Sequence, residues 1–472
     1  MKNQLLVLIC CLFISSLSFA KESNSDISEK INILEKQMLE IQAQYDARMT
    51  EMQTAINELK ALQKENESDD EEELFAQLKA KSEQSQSKVT SNSQSGLNIS
   101  AVLDFNYYHD NSEEGLGHMR EEIAGFGVHN HNHEDHHHHG NENGFNLGHV
   151  ELGLSTEVDP YFRAWTTLAF EDGEDVEVEE AVIQSTSLSN GFNISAGKFK
   201  SGIGRLNRQH NHAWDFIDAP LVYEKFFGSH GLAEKGLQLT WLAPTKSYLL
   251  FGAEAGNGDN KVFCNYVGEE GFPKHSAPRL YTAFMKYSPE IGSRQSLQLG
   301  LSFAKSKYQR EEEDSDTDTE YFYDGNNKIY GLDFIYKYYG LSDKNQGDLT
   351  IQGEYFYRDS KMVLQNDFSP YRNKQDGFYL QAIYGIRPRW RIGARYDSVG
   401  MKNHWEEFGE EPQSFGKSRR VAGMIDYKLS EYSLLRFQFG RSNFCTGEER
   451  EKAWEYALQL QVSLGSHPAH EF

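Results

Sequence analysis

Residues 454–464 read WEYALQLQVSL, and their alternation decides the fold. Trp454, Tyr456, Leu458, Leu460, Val462 and Leu464 fall on one side; Glu455, Ala457, Gln459, Gln461 and Ser463 fall on the other. A period of two marks a strand, because successive side chains leave opposite faces of the pleat. The run is long enough to cross a hydrocarbon core at a tilt, and its two faces suit lipid outside and water inside.

The same period recurs upstream as far as Leu97, in Leu97–Tyr108, Phe145–Thr156, Tyr161–Glu171, Val176–Ser187, Gln295–Lys307, Lys328–Tyr339, Asp348–Ser360 and further segments that bring the candidate strands to sixteen. Short turns such as Glu157–Pro160, Leu188–Gly191, Pro244–Ser247 and Leu429–Tyr432 alternate with long connections near 109–144, 201–235, 257–278, 308–327, 361–376 and 401–417. Short turns on one side and long loops on the other are what an outer-membrane barrel requires. Residues 97–472 are therefore expected to form an all-β transmembrane barrel of about 16 antiparallel strands, porin-like in build. Composition agrees: only 38% of residues are hydrophobic, yet 13% are aromatic, as when every second strand residue faces water and aromatic girdles mark the interfaces.

Ahead of the barrel the chain changes character three times. Residues 1–20, with an apolar core from Leu5 to Leu17 and Ser18-Phe19-Ala20 at its end, read as a secretory signal peptide. Residues 21–66 carry a heptad pattern, with Ile31, Met38, Tyr45, Met52 and Leu59 at one seam position and Ile27, Leu34, Ile41, Arg48, Ala55 and Leu62 at the other, Arg48 being the one polar breach, which predicts an α-helical coiled coil in the periplasm. Residues 67–96 are an acidic, Ser- and Gln-rich linker. Coiled coil and barrel together predict self-association, with a homotrimer as the expected state.

One connection stands apart. Residues 201–235, SGIGRLNRQHNHAWDFIDAPLVYEKFFGSHGLAEK, follow no strand period and are rich in aromatics, His and charge. Such a loop is expected to fold into the lumen as a constriction, with Arg205, Arg208, Trp214, Phe216, Glu224 and Lys225 setting the bore. Arg387, Arg389, Arg391, Arg395 and Arg436 are expected to form a basic wall opposite.

Histidines are concentrated in the first long loop, at His129, His131, His133, His136, His137, His138 and His139. Imidazole binds zinc, copper and nickel, so the run is expected to collect transition metal without shaping a single site. A second group, His149, Glu151, His210, His212, Asp215 and Asp218, with Glu177 and Glu179 turned inward by alternation, could pass a divalent cation stepwise through the lumen. The net charge of −24 argues against nucleic acid as a partner and for cations near the surface. No Ser/His/acid set stands at a spacing that supports catalysis, so the chain is not expected to be an enzyme. Cys264 and Cys445 could form one disulfide.

The motif HNHAWDFIDAPLVYEKFFG at 210–228, the following GLQLTWLAP at 236–244 and the ending LGSHPAHEF resemble Gram-negative outer-membrane proteins labelled zinc-regulated outer-membrane receptors. A coiled-coil stalk before a sixteen-stranded barrel is also similar to trimeric porins. The resemblance implies zinc-linked passage through the outer membrane, and the terminal Phe472 resembles the aromatic signal read by the barrel-assembly machinery. The residues before Leu97 read as coiled coil and linker, not as the plug domain of an energised receptor. The expected function is therefore a porin for passive entry of small hydrophilic solutes, favouring divalent metal ions such as zinc and requiring no cofactor. The alternatives are a surface protein whose barrel is only an anchor and a general or anion-type diffusion porin. Intact mass spectrometry of the secreted protein should place the mature N-terminus at Lys21; a chain that keeps Met1 would refute the signal peptide.

Overall fold

The computed structural model describes residues 96–126, 141–170, 176–268, 272–314, 319–341, 345–407, 411–447 and 449–465. The signal peptide, the coiled coil, all but the end of the linker, His129 to His139 and the C-terminal residues from Ser466 lie outside the described residues. Strands β1 (Asn98–Asp110), β2 (Gly144–Leu147), β3 (Val150–Asp159), β4 (Phe162–Phe170), β5 (Glu177–Ser185) and β6 (Phe192–Lys200) come first. They are followed by β7 (Ala233–Leu242), β8 (Tyr248–Gly256), β9 (Leu280–Ser288), β10 (Gln295–Asp314), β11 (Thr319–Tyr338) and β12 (Leu349–Leu364). The last are β13 (Pro370–Arg387), β14 (Trp390–Glu407), β15 (Gln413–Ser414), β16 (Ser418–Lys428), β17 (Ser433–Thr446) and β18 (Glu449–Gly465).

Each strand pairs antiparallel with its neighbours, and β1 closes on β18 from Ser100 opposite Gly465 to Asp110 opposite Glu455. Because β2 and β3 lie end to end along β1, and β15 and β16 along β14, the described segments make 16 staves of a closed barrel. Closure leaves no edge strand to pair with another chain.

The face pattern is inside out relative to a soluble protein. On β18, Leu458 is 47% exposed while its neighbour Gln459 is 3% exposed. Ile183, Leu237, Leu301, Leu332 and Val421 likewise point outward, and Gln238, Ser302, Gln352 and Gln438 point in. Near the short turns the outer face carries stacked aromatics, with Trp241 between Phe192 at 6.0 Å and Phe251 at 5.7 Å, and Trp390 4.7 Å from Tyr427. An apolar band bordered by aromatic rings is a lipid-facing surface.

Strand lengths depart from expectation. Strands β4, β5, β6, β8 and β9 have 9 residues each, close to one membrane crossing, but β10 and β11 have 20 each. The segments 308–327 and 361–376, expected as loops, are largely the upper arms of β10 to β13, and β14 continues to Glu407. These arms extend past the lipid, so neither face needs to be apolar, and the period of two that identifies a strand disappears from the sequence.

Two further segments turn into the lumen. The first long connection contains the short helix α1 (Leu116–Glu121), and 201–232 contains α2 (Leu221–Phe227). Leu116, Met119, Ile123 and Phe126 pack with Ile203, Leu206, Val222, Phe226 and Phe227 in one cluster, joined by Phe263 and Cys264. The wall becomes apolar where this cluster touches it, at Ala304, Ile329, Phe356, Tyr379 and Val399. Tyr223 and Phe227 meet Phe356 edge-on, at 5.5 and 5.3 Å, the orientation ring quadrupoles favour. Cys264 and Cys445 are both buried as free thiols, so the considered disulfide is absent.

Leu458→Arg, on the lipid face, should cost about 2–4 kcal/mol if it lies near the bilayer midplane. A urea titration in lipid vesicles reads this as a lowered midpoint; an unchanged midpoint would mean that this face does not meet lipid.

Candidate functional site in the lumen

The inserted segment leaves β6 at Lys200 and rejoins the barrel at β7. Its turns and α2 pair part of its backbone internally, and wall and segment side chains take the backbone groups left over where it enters the lumen. Glu354 on β12 accepts from the backbone N–H of Arg205 at 2.7 Å and of Leu206 at 2.9 Å, and from the hydroxyls of Tyr223 and Tyr379 at 2.8 and 2.6 Å. Glu254 on β8 accepts from Gly202 N–H at 2.8 Å and Ser201 Oγ at 2.5 Å. Asn207 closes the base: its Nδ2 donates to the carbonyls of Ser201 and Leu232, both at 2.9 Å, and its Oδ1 accepts from Leu232 N–H at 2.7 Å. Between these anchors Gly204 has φ of +62°, and a Cβ there would lie 2.8 Å from Phe356 Cζ, so both conformation and space call for glycine.

On one side the segment meets arginines. Asp215 pairs with Arg391 at 2.9 Å, and Asp218 takes Arg395 at 3.0 Å, Arg420 at 2.8 Å and Arg120 from α1 at 2.9 Å. Arg436 donates to the Trp214 carbonyl at 3.0 Å. Burial opposes ionisation of Asp218, but the three guanidinium groups outweigh it and hold the carboxyl well below its usual range. The basic wall is therefore Arg391, Arg395, Arg420 and Arg436. Arg387 and Arg389 were expected in it but are exposed at the β13–β14 turn, where Arg389 has positive φ and bonds the Leu429 carbonyl. Arg420 was missed because the adjacent Arg419 leaves the inward face ambiguous in the sequence.

On the other side it meets carboxylates. His212 Nδ1 lies 2.9 Å from Glu151, while His210 places Nδ1 2.7 Å from Glu179 and Nε2 3.0 Å from Glu180. Ionised carboxylates only accept, so both nitrogens of His210 donate and the ring is an imidazolium. Burial pushes its pKa down, but Glu179 and Glu180 outweigh it and hold the group up at about 9. The two rings stack nearly parallel, 5.9 Å apart.

Two β-bulges converge on this spot. Val102 is opposite Glu151 and Phe105 is opposite Leu147, so the β2–β3 junction at Gly148-His149-Val150 carries one extra residue. Thr167 is opposite Glu180 and Leu168 opposite Val178, which leaves Glu179 as the extra residue of β5. Bulges re-aim side chains. Here they let the consecutive residues Glu179 and Glu180 both reach His210. Strict alternation turned Glu180 to the lipid, so the sequence reading missed it, along with Lys200 and His230, which approach Glu179 at 3.7 and 3.9 Å.

Below the inserted segment lies a cavity of about 1050 Å³. Its lining runs from the short-turn end, at Glu157, Tyr248 and Pro289, up to Glu151, Glu180, Arg205, Arg208 and His210. Of the residues expected to set the bore, Arg205 and Arg208 line this vestibule. Trp214 is packed in the apolar cluster, and Phe216 is buried against Ile383, Ala422 and Met424. Glu224 pairs with Arg120 and Lys225. Of the expected inner metal ligands, His149, Glu151, His210 and His212 come together, whereas Asp215 and Asp218 are engaged by arginine and do not join them.

Asp218→Ala leaves Arg120, Arg395 and Arg420 without their common carboxylate and should lower stability by about 3–5 kcal/mol. The checks are the urea midpoint of the micelle-folded protein and protease cleavage within 201–235; an unchanged midpoint with an intact loop would show that this latch does not hold the segment.

No family model matches the chain. OmpT of Vibrio cholerae lacking loop L8 has 11% identity and a TM-score of 0.48, over 78% of this chain and 99% of that one. The outer-membrane channel DcaP of Acinetobacter baumannii has 13% identity and a TM-score of 0.48, over 78% and 97%. The anion-selective porin of Comamonas acidovorans has 10% identity and a TM-score of 0.46, over 78% and 100%. The strand pairing defines the barrel without these likenesses, and they say nothing of cargo. A protein of Aquifex aeolicus (strain VF5), named "Uncharacterized protein", is 35% identical over 387 residues, which span 79% of each chain. The chain belongs to the family of that Aquifex aeolicus protein.

Proposed function

We propose that the protein is an outer-membrane channel through which small hydrophilic solutes enter passively, with a preference for divalent metal ions such as zinc. The observation that carries this reading is the vestibule of about 1050 Å³, which opens at the short-turn end and ends on Glu151, Glu180 and His210 beneath the inserted segment. A water-filled barrel interior narrowed by an inserted loop is the general build of a diffusion pore. At its narrow end Glu151 and Glu180 offer carboxylate oxygens to a passing dication, and Arg205, Arg208 and the His210 imidazolium beside them limit the local negative charge. The His-rich run at 129–139 would raise metal concentration outside, the periplasmic coiled coil would hold three copies together, and lipid and the barrel-assembly machinery complete the expected partners.

A second reading has support of its own. The aromatic cluster of Tyr223, Phe226, Phe227, Phe263 and Phe356 is packed like a soluble core, which favours a sealed barrel serving as an anchor for the outer loops. Single-channel recording in planar bilayers separates the two. The channel reading expects stepwise openings in groups of three, and larger steps after deletion of residues 201–235. Silence from the parent protein, with openings only after the deletion, would establish the sealed barrel.

A further inference from the structure

Among the described residues, one more histidine and two carboxylates stand together beside the vestibule's narrow end, where Glu151 lines it. His149 Nε2 stands 3.8 Å from Glu151 Oε2 and 3.6 Å from Glu179 Oε1. Both separations are too long for a hydrogen bond. They are close to the edge of a tetrahedron around a dication whose bonds are about 2.0–2.2 Å, which is about 3.4 Å. One ligand atom from each of the three side chains lies within 4.8 Å of the others, and all three residues are buried.

The second observation is Glu179 itself. It is 2% exposed, and its Oε1 makes no hydrogen bond. Lys200 Nζ and His230 Nδ1 stand 3.7 and 3.9 Å from that oxygen, again beyond hydrogen-bond range. The partner oxygen, Oε2, is held by His210 at 2.7 Å, and Glu151 Oε2 by His212 at 2.9 Å. Imidazoles that grip ligating carboxylates fix the orientation of those ligands. Both bulges fall at this cluster, one within Gly148-His149-Val150 and one at Glu179, where the strands are locally free to re-aim side chains.

We propose that His149, Glu151 and Glu179 form a three-ligand site for a single transition-metal dication of the zinc type, with His210 and His212 of the inserted segment as positioning residues. The site rests on the channel reading and gives it a cargo. One imidazole with two carboxylates suits zinc and its neighbours, whereas calcium and magnesium demand six or more oxygen ligands. Three protein ligands leave the fourth position open for water or an incoming group, as in zinc sites that exchange what they hold. Lys200 beside Glu179 limits the net negative charge, so the ion is held firmly enough to enter and loosely enough to leave.

The test uses the purified full chain and a variant lacking His129–His139, which removes the competing outer histidines. Zinc is titrated against a chromophoric chelator, and the bound ion is examined by zinc-edge X-ray absorption. The expected result for the loop-deleted protein is one zinc per chain with a single imidazole and oxygen neighbours, unaffected by a hundredfold excess of magnesium. Binding should weaken at least tenfold in Glu179→Gln and in His149→Gln, each confirmed as folded by its heat-modifiable migration. Absence of bound zinc, a spectrum without an imidazole shell, or undiminished binding in both variants would overturn the site. Conductance measured in potassium chloride alone keeps the two claims separate: openings without zinc binding leave the channel standing and remove the site, and zinc binding in a silent protein does the reverse.

Discussion

An irregular segment threaded through a barrel must find partners for its own backbone, because unpaired N–H groups buried away from water are costly. Three wall carboxylates meet that demand. Glu354 and Glu254 take the N–H groups at the start of the inserted segment, and Glu234 takes those of Gly258, Asp259 and Asn260 in the connection after β8, whose Phe263 and Cys264 join the same apolar cluster, at 2.7–3.0 Å. Everything else in the lumen depends on these anchors. They set the height at which 201–232 crosses, and hence which wall residues become a dry packing surface and which remain lined by water.

The segment then divides the lumen chemically. Toward β13, β14, β16 and β17 it offers Asp215 and Asp218 to a bank of arginines; toward β3 and β5 it offers His210 and His212 to a bank of glutamates. Buried ion pairs contribute little net stability relative to apolar packing, but losing one partner is severe, so they act mainly as specifiers of register. With opposite charges presented to opposite walls, the segment can seat in one orientation only. The aromatic cluster between α2, α1 and the tall strands supplies apolar burial that the charged contacts do not.

Much of the architecture was legible along the chain. Lipid imposes a period of two wherever a strand crosses it, and WEYALQLQVSL carries that period openly, as do Leu237, Leu239 and Trp241 with their inward neighbours. Where lipid ends, the imprint ends, which is why the upper arms of β10 to β14 read as loops. The inserted segment announced itself by breaking the pattern with rings and histidines. Its anchor on β12 left a fainter sign, since Phe356 is an apolar residue between Glu354 and Arg358 on the inward face. Nothing comparable marked α1, whose Leu116 and Met119, with Ile123 just beyond its end, have helical spacing over too short a run to separate from a surface turn.

The sequence by itself determined the barrel and marked 201–235 as a segment that enters the lumen, because both are written in local periodicity, or its interruption, imposed by solvent and lipid. Only the tertiary structure decided which side chains meet there. His149 and Glu179 come together through the register of β3, β4 and β5 and through two bulges, and a bulge shifts every later residue by one face without altering composition. Asp218 meets arginine where it was expected to serve as a metal ligand, for the same reason: a loop residue's partner is set by the height and rotation at which distant strands receive it, and those are properties of closure, not of spacing along the chain.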